Sequence, residues 1–293
     1  MQLLGFPDSA AQTRHIAEAL RVPWSLVDVH RFPDGETRVR LPFGLETSLI
    51  LCRSLDRPNE KLVELLLACV TAREQGVNHI ALVAPYLCYM RQDQAFHPGE
   101  AVSQRIVGRW LAQICDALIT VDPHLHRVRS LVDAVPCGKS LALSSAPVMA
   151  DLVLSQTLTG PLLLAPDREA EQWVAELAHF TGIEYVVADK QRLGDRDVTI
   201  SLPTCSFRGR EVILVDDIAS TGQTLATAAR ALRGAGARSV HCLVTHALFM
   251  GDALAQLYQA GVDNIWTTDS IAHPTNAIQL AELLAGAILS LRE

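Results

Sequence analysis

The sequence lacks any uncharged run that reaches the roughly 18 residues a membrane-spanning helix needs. Its start, Met1-Gln2-Leu3-Leu4-Gly5-Phe6-Pro7-Asp8, has no basic segment leading into an apolar one. These absences lead us to expect a cytoplasmic protein with no membrane partner. Positive charge is also in deficit. With 25 Lys and Arg against 32 Asp and Glu, the net charge is −7, so no basic field exists to hold a nucleic-acid backbone and small, metal-bridged ligands are favoured instead. Paired cysteines are missing as well. The 7 cysteines, at positions 52, 69, 88, 115, 137, 205 and 242, stand singly and form no Cys-x-x-Cys. This argues against a disulfide framework or a zinc site and for reduced, buried thiols.

What is present is apolar and alternating. A chain of 293 residues with 49% hydrophobic content exceeds the usual single core and is expected to form two domains of roughly 150 residues. Short β-rich runs (48–52, 80–84, 212–215, 240–245) alternate with longer amphipathic stretches (62–74, 225–233), the pattern of βαβ units and parallel sheets. The order occurs twice. Leu49-Ile50-Leu51-Cys52, a polar loop, a helix, Gly76 and Ile80-Ala81-Leu82-Val83 match Val212-Ile213-Leu214-Val215, a polar loop, a helix, Gly236 and Val240-His241-Cys242-Leu243. Further on, Gly99-Glu100-Ala101 leading to Leu118–Asp122 matches Gly251-Asp252-Ala253 leading to Ile265–Asp269. We therefore expect a duplicated α/β domain, 1–143 and 144–293, with the Pro-, Gly- and Ser-containing stretch 135–147 as the crossover.

The most informative segment is Val212-Ile213-Leu214-Val215-Asp216-Asp217-Ile218-Ala219-Ser220-Thr221-Gly222-Gln223-Thr224. It reads as a buried strand ending in two acids, then a small, hydroxyl-rich turn entering a helix. Backbone N–H groups in such a turn, aided by the helix start, cradle a phosphate monoester; Ser220, Thr221 and Thr224 add hydroxyls, and Gly222 lets the backbone come close. No lysine opens the helix, so this is not the Gly-x-x-x-x-Gly-Lys-Ser/Thr nucleotide loop. Asp216 and Asp217 can accept ribose hydroxyls or hold a magnesium-bound diphosphate at the carboxyl edge of the sheet.

The acid pair and the turn from Ser220 to Thr224 resemble the phosphoribosyl-diphosphate loop of type I phosphoribosyltransferases and ribose-phosphate pyrophosphokinases. Arg31-Phe32-Pro33-Asp34-Gly35-Glu36, Tyr86 to Asp93, Val121-Asp122-Pro123-His124, Ala165-Pro166-Asp167 and Asp189-Lys190-Gln191-Arg192 resemble, in order, the pyrophosphokinases. Nearly the whole chain is covered, and Pro98-Gly99-Glu100 is similar to the shorter, archaeal-like form of the mobile loop. The resemblance implies two tandem type I phosphoribosyltransferase-like domains, each a mostly parallel sheet flanked by helices. It also implies a homo-oligomer, a dimer or a multiple of dimers.

It further implies a set of sites. Phe32 offers adenine a stacking face, with Asp34 and Glu36 accepting from the base or ribose. Arg91, Gln92 and Asp93 continue the ATP site, Arg91 as a bidentate phosphate ligand. His124 is the family's magnesium ligand, and Asp167 is placed to contact a second magnesium or the pentose hydroxyls. Lys190 and Arg192 alternate on an extended segment and supply the cations that a diphosphoryl transfer from ATP to ribose 5-phosphate demands. Three places depart from the family pattern. Ser220 stands where many bacterial members have aspartate, Arg168-Glu169 where a small glycine-containing turn is commoner, and His97 where the loop carries a basic residue. The first two bear on sugar-phosphate selectivity and the third on closure over ATP. Two alternatives stay open at this level: a phosphoribosyltransferase that consumes the diphosphate, and a catalytically silent regulatory homologue.

Overall fold

The computed structural model describes residues 1–125, 127–128, 130–192 and 198–291, without the side chains of Gln191, Arg192 and Val198. The chain forms two compact units: Met1–Ser144 joined by the segment from Leu280 onward, and Ser145–Gln279.

The first unit runs β1 (Gln2–Gly5), α1 (Ala10–Leu20), β2 (Trp24–Leu26), β3 (Asp28–Arg31), β4 (Thr37–Arg40), β5 (Ser48–Cys52), α2 (Pro58–Glu74), β6 (His79–Val83), α3 (Ser103–Ile114), β7 (Ala117–Val121), α4 (Leu131–Ala134) and β8 (Lys139–Leu143). Its six-stranded sheet has the order β2-β1-β5-β6-β7-β8, every neighbouring pair parallel. The inner strands are buried over Leu49–Cys52, Ile80–Val83 and Ala117–Val121, as expected where helices cover both faces of a parallel sheet. β3 and β4 form a separate antiparallel hairpin.

The second unit repeats the plan with α5 (Ala146–Ser155), β9 (Leu162–Ala165), α6 (Glu171–Thr181), β10 (Tyr185–Val187), β11 (Asp189–Arg192), β12 (Val198–Ser201), β13 (Glu211–Ala219), α7 (Gln223–Gly234), β14 (Ser239–Ala247), α8 (Ala253–Gln259), β15 (Asn264–Thr268) and β16 (Asn276–Ile278); α9 (Ala281–Ser290) follows. Its sheet, β10-β9-β13-β14-β15-β16, is again parallel throughout, and β11 and β12 form an antiparallel arm. Apolar side chains on its two faces make two buried clusters. One joins β13 and β14 to α7 and α8, and the other joins β9 and β13 to α5 and α6.

Three expectations are corrected. The stretch 135–147 is not only a crossover, because Lys139–Leu143 pairs in parallel with Ala117–Val121 and closes the sheet edge. The last helix does not stay with 144–293: α9 packs on α1, β7 and β8 in the first unit, burying Leu284, Ala285 and Ile288 there. The strand around Val212–Val215 continues through both acids to Ala219, since β14 is equally long and keeps pairing as far as Ala219↔Ala247. None of the 7 cysteines forms a disulfide.

Candidate active site

β13 lies between β9 and β14 with Val212 to Val215 buried, so the middle of the sheet delivers Asp216 and Asp217 to its carboxyl edge. Asp217 is 3% exposed, whereas Asp216 is half-buried and accepts the backbone N–H of Asp217 at 3.0 Å.

The turn beyond β13 is braced from the loop after β14. The N–H of Phe249 donates to the Ala219 carbonyl (2.9 Å) and that of Met250 to the Ser220 carbonyl (2.8 Å). Gly222 caps α7 in the left-handed region, φ +71°, and no side chain caps the helix start. A Cβ at Gly222 would stand 3.4 Å from the Ala253 Cβ and 3.5 Å from the Leu257 side chain, so glycine serves both the conformation and the packing of α8. With Thr221 and Gln223 exposed and Ser220 and Thr224 half-buried, the turn presents hydroxyl and amide donors at a helix start, the requirement for a bound phosphate.

A second element reaches the same edge. Asp167 follows β9; its Oδ1 accepts the N–H of Ala170 (3.1 Å) and its Oδ2 accepts Lys190 Nζ (2.8 Å), both side chains of the ion pair being 15% exposed. Lys190 sits on the β11–β12 arm opposite Ile200. Burial, then the charge of Asp217 and then that of Asp167 hold the Asp216 carboxyl well above the usual carboxylate range. Lys190, Asp167, Asp216 and Asp217 thus share one electrostatic neighbourhood. Next to Asp167, Arg168 lies 3.8 Å from Asp189 at the start of the arm. The backbone of Arg192 pairs with Val198, and its side chain lies outside the described residues.

The remaining expected residues belong to the first unit. Phe32, Asp34 and Glu36 occupy the exposed tip of the β3–β4 hairpin. There the Phe32 N–H donates to the Glu36 carbonyl (2.8 Å), and the Asp34 carboxylate accepts the Glu36 N–H (3.1 Å). Phe32 is 42% exposed and meets His30 edge to face at 4.8 Å. Arg91 is exposed and follows Tyr89, which adopts φ +61°. Gln92 and Asp93 point into the protein's own contacts: Gln92 accepts from the Ser103 hydroxyl, and buried Asp93 pairs with Arg127 at 2.7 Å. The other oxygen of Asp93 has no hydrogen-bond partner among the described residues. His124 is half-buried just beyond β7. In the loop carrying His97, Glu100 accepts the Phe96 N–H (2.7 Å) and meets His97 Nδ1 (2.6 Å); these bonds hold its carboxyl below the usual range.

Sequence reasoning missed the Phe249–Met250 brace, the Arg127–Asp93 pair and a buried ionic network. In that network Arg53 follows β5, where the second unit has Asp216. It is 2% exposed, lies 4.0 Å over the Phe6 ring and pairs with Asp8 and Glu64, while Lys61 pairs with Asp8 and Asp56. The repeat offered a signal: a basic residue stands at the position of an acid.

A parallel sheet whose central strand ends in crowded carboxylates, followed by an uncapped hydroxyl-rich turn, defines an α/β protein of the phosphoribosyltransferase type. Residues 1–114 match the model for the N-terminal domain of ribose phosphate pyrophosphokinase, and residues 148–266 match that for the phosphoribosyl transferase domain. The ribose-phosphate pyrophosphokinase of Methanopyrus kandleri is 34% identical over 99% of both chains. Ribose-phosphate pyrophosphokinase 2 of Archaeoglobus fulgidus is 32% identical over 97% of this chain and 99% of its own. The crystal structure of phosphoribosylpyrophosphate synthetase from Mycobacterium smegmatis shares the fold, with a TM-score of 0.85 and 20% identity over 99% of this chain and 98% of its own. The chain belongs to the ribose-phosphate pyrophosphokinase family.

Proposed function

We infer that the chain transfers the diphosphoryl group of ATP to the C1 hydroxyl of ribose 5-phosphate, giving 5-phosphoribosyl 1-diphosphate and AMP. The observation that carries this reading is the match of both units, end to end, with relatives named for that activity. In this reading the turn from Ser220 to Thr224 holds the 5-phosphate through hydroxyls and helix-start amides. Asp216 and Asp217 orient the ribose hydroxyls. Phe32, Asp34, Glu36 and Arg91 hold the nucleotide, and Gln92 and Asp93 shape the segment that aims Arg91. The C1 oxygen attacks the β-phosphorus in line as its bond to the α-phosphoryl oxygen breaks. Lys190, drawn from Asp167 towards the moving group, and Arg192 neutralise the charge that builds on it.

Magnesium fits these residues as an ion that arrives with substrate. No three ligating side chains converge among the described residues, while burial, followed by the charges of Asp217 and Asp167, raises the Asp216 pKa. Magnesium is commonly held by one or two protein ligands plus substrate phosphates. His124 would hold one such ion and Asp167 a second, and each would neutralise charge on phosphate oxygens. No helix among the described residues is long and apolar enough to cross a membrane. We place the protein in the cytoplasm, as a homo-oligomer built from dimers.

The test is to mix purified chain, magnesium, ATP and ribose 5-phosphate and to measure AMP. Release that depends on ribose 5-phosphate is the expected result. Release of diphosphate that needs a nucleobase and no ATP, or an absence of turnover, would overturn the assignment.

A further inference from the structure

We propose that Arg31 is a positioning residue for the nucleotide: with Glu60 and Glu64 it clamps the hairpin bearing Phe32, Asp34 and Glu36 onto α2. The inference rests on the nucleotide reading of that hairpin tip and adds the part that holds it still.

The hairpin is a two-stranded ribbon outside the six-stranded sheet, and such a ribbon is marginal alone. Its tip residues are all exposed, so little apolar burial fixes their direction. The body of the ribbon packs on α2 through β4, and Arg31, the residue before Phe32, ties down the end that carries the tip. Its Nη1 lies 2.7 Å from Glu60 and its Nε donates to Glu64 at 3.1 Å. Glu60 and Glu64 are one turn apart on α2, so both carboxylates face the same way.

Glu64 is 1% exposed, and its other oxygen accepts from buried Arg53 at 2.5 Å. Arg53 is itself held by Asp8 and by the carbonyl of Lys61. The clamp therefore ends on an anchor fixed by β5, α2 and the turn before α1. A guanidinium bridging two carboxylates sets orientation as well as distance. A lysine in its place would keep the charge and lose the fork. Loss of Arg31 leaves Glu64 paired with Arg53, so no buried charge is orphaned and the unit keeps its fold.

The experiment compares Arg31→Ala, Arg31→Lys, Glu60→Ala, the Arg31→Ala/Glu60→Ala pair and Phe32→Ala in the full chain, reading KM for each substrate, kcat and Tm. For Arg31→Ala we expect KM for ATP to rise about five- to tenfold, the scale of one ordinary hydrogen bond, since the Arg31 side chain is half exposed. Tm, kcat and KM for ribose 5-phosphate should stay within about twofold or a few degrees of wild type. Glu60→Ala should raise KM for ATP less, the double variant should add nothing to Arg31→Ala, and Arg31→Lys should recover part of the loss. A rise with Phe32→Ala but none with Arg31→Ala overturns the clamp alone. So does Glu60→Ala that leaves KM for ATP unchanged or lowers it, which would mark Arg31 as a direct nucleotide ligand. If Phe32→Ala is also silent, the nucleotide reading of the hairpin fails and the clamp falls with it.

Discussion

Lys190→Ala separates a lysine that meets the transferring group from one that merely neutralises Asp167. In the free protein Lys190 Nζ is 2.8 Å from Asp167, and both side chains are 15% exposed, so water screens the pair only partly. Its removal leaves Asp167 with one backbone donor beside Asp216 and Asp217. A fully buried pair broken in this way costs about 3–5 kcal/mol, and the residual exposure reduces that to about 1–3 kcal/mol. Tm should fall by about 2–4 °C for each kcal/mol. The kinetic loss should be larger in kind: removing one preorganised donor to developing transition-state charge slows kcat by about 100- to 1,000-fold, or about 2.7–4 kcal/mol. The assay is AMP release from ATP that depends on ribose 5-phosphate, run on Lys190→Ala well below its Tm, with Asp167 left intact because it is assigned to magnesium. If Lys190 only balances Asp167, the loss is confined to Tm. If it meets the moving phosphoryl group, kcat falls as well. Wild-type turnover in Lys190→Ala would refute the argument.

Two further outcomes follow from the same edge of the sheet. Burial and the neighbouring carboxylates raise the Asp216 pKa, so the folded state holds this proton more tightly than the unfolded chain. The stability from that proton is fully present below the unfolded pKa, about 3.9, and is lost as pH rises towards the folded value. Asp216→Asn should therefore raise Tm at neutral pH, flatten its decline from pH 4 upward, and lower kcat/KM for ribose 5-phosphate by on the order of 10- to 100-fold, one charge-assisted hydrogen bond; a less stable variant with a steeper pH profile would refute this. Gly222→Ala should cost about 1–2 kcal/mol at φ +71° and raise KM for ribose 5-phosphate while leaving KM for ATP alone. Equal effects on both substrates would detach the turn from the sugar.

Much of this was legible along the chain because it is local. Apolar runs such as Leu49–Cys52 and Val212–Val215 demand burial on both faces, which only a helix-covered parallel sheet supplies, and their repetition in order announced two similar units. The turn from Ser220 to Thr224 declared itself through residue types that matter within a few bonds. The strand Lys139–Leu143 was hidden because the prolines, glycine and serines around it read as crossover, and only pairing with Ala117–Val121 makes it a strand.

What tertiary structure alone decided is non-local. That α9 returns to α1, that Lys190 meets Asp167 23 positions away, that Phe249 and Met250 brace the phosphate turn, and that Arg53 is buried against Glu64 rather than solvated depend on which surfaces meet once the sheets form. Sequence by itself determined the repeat, the strand order's alternation with helices and the chemistry of the turn, since each follows from neighbouring residues. Charge pairing and burial are properties of the assembled environment, where a carboxylate's partner and its dielectric are set by chain segments far away in sequence.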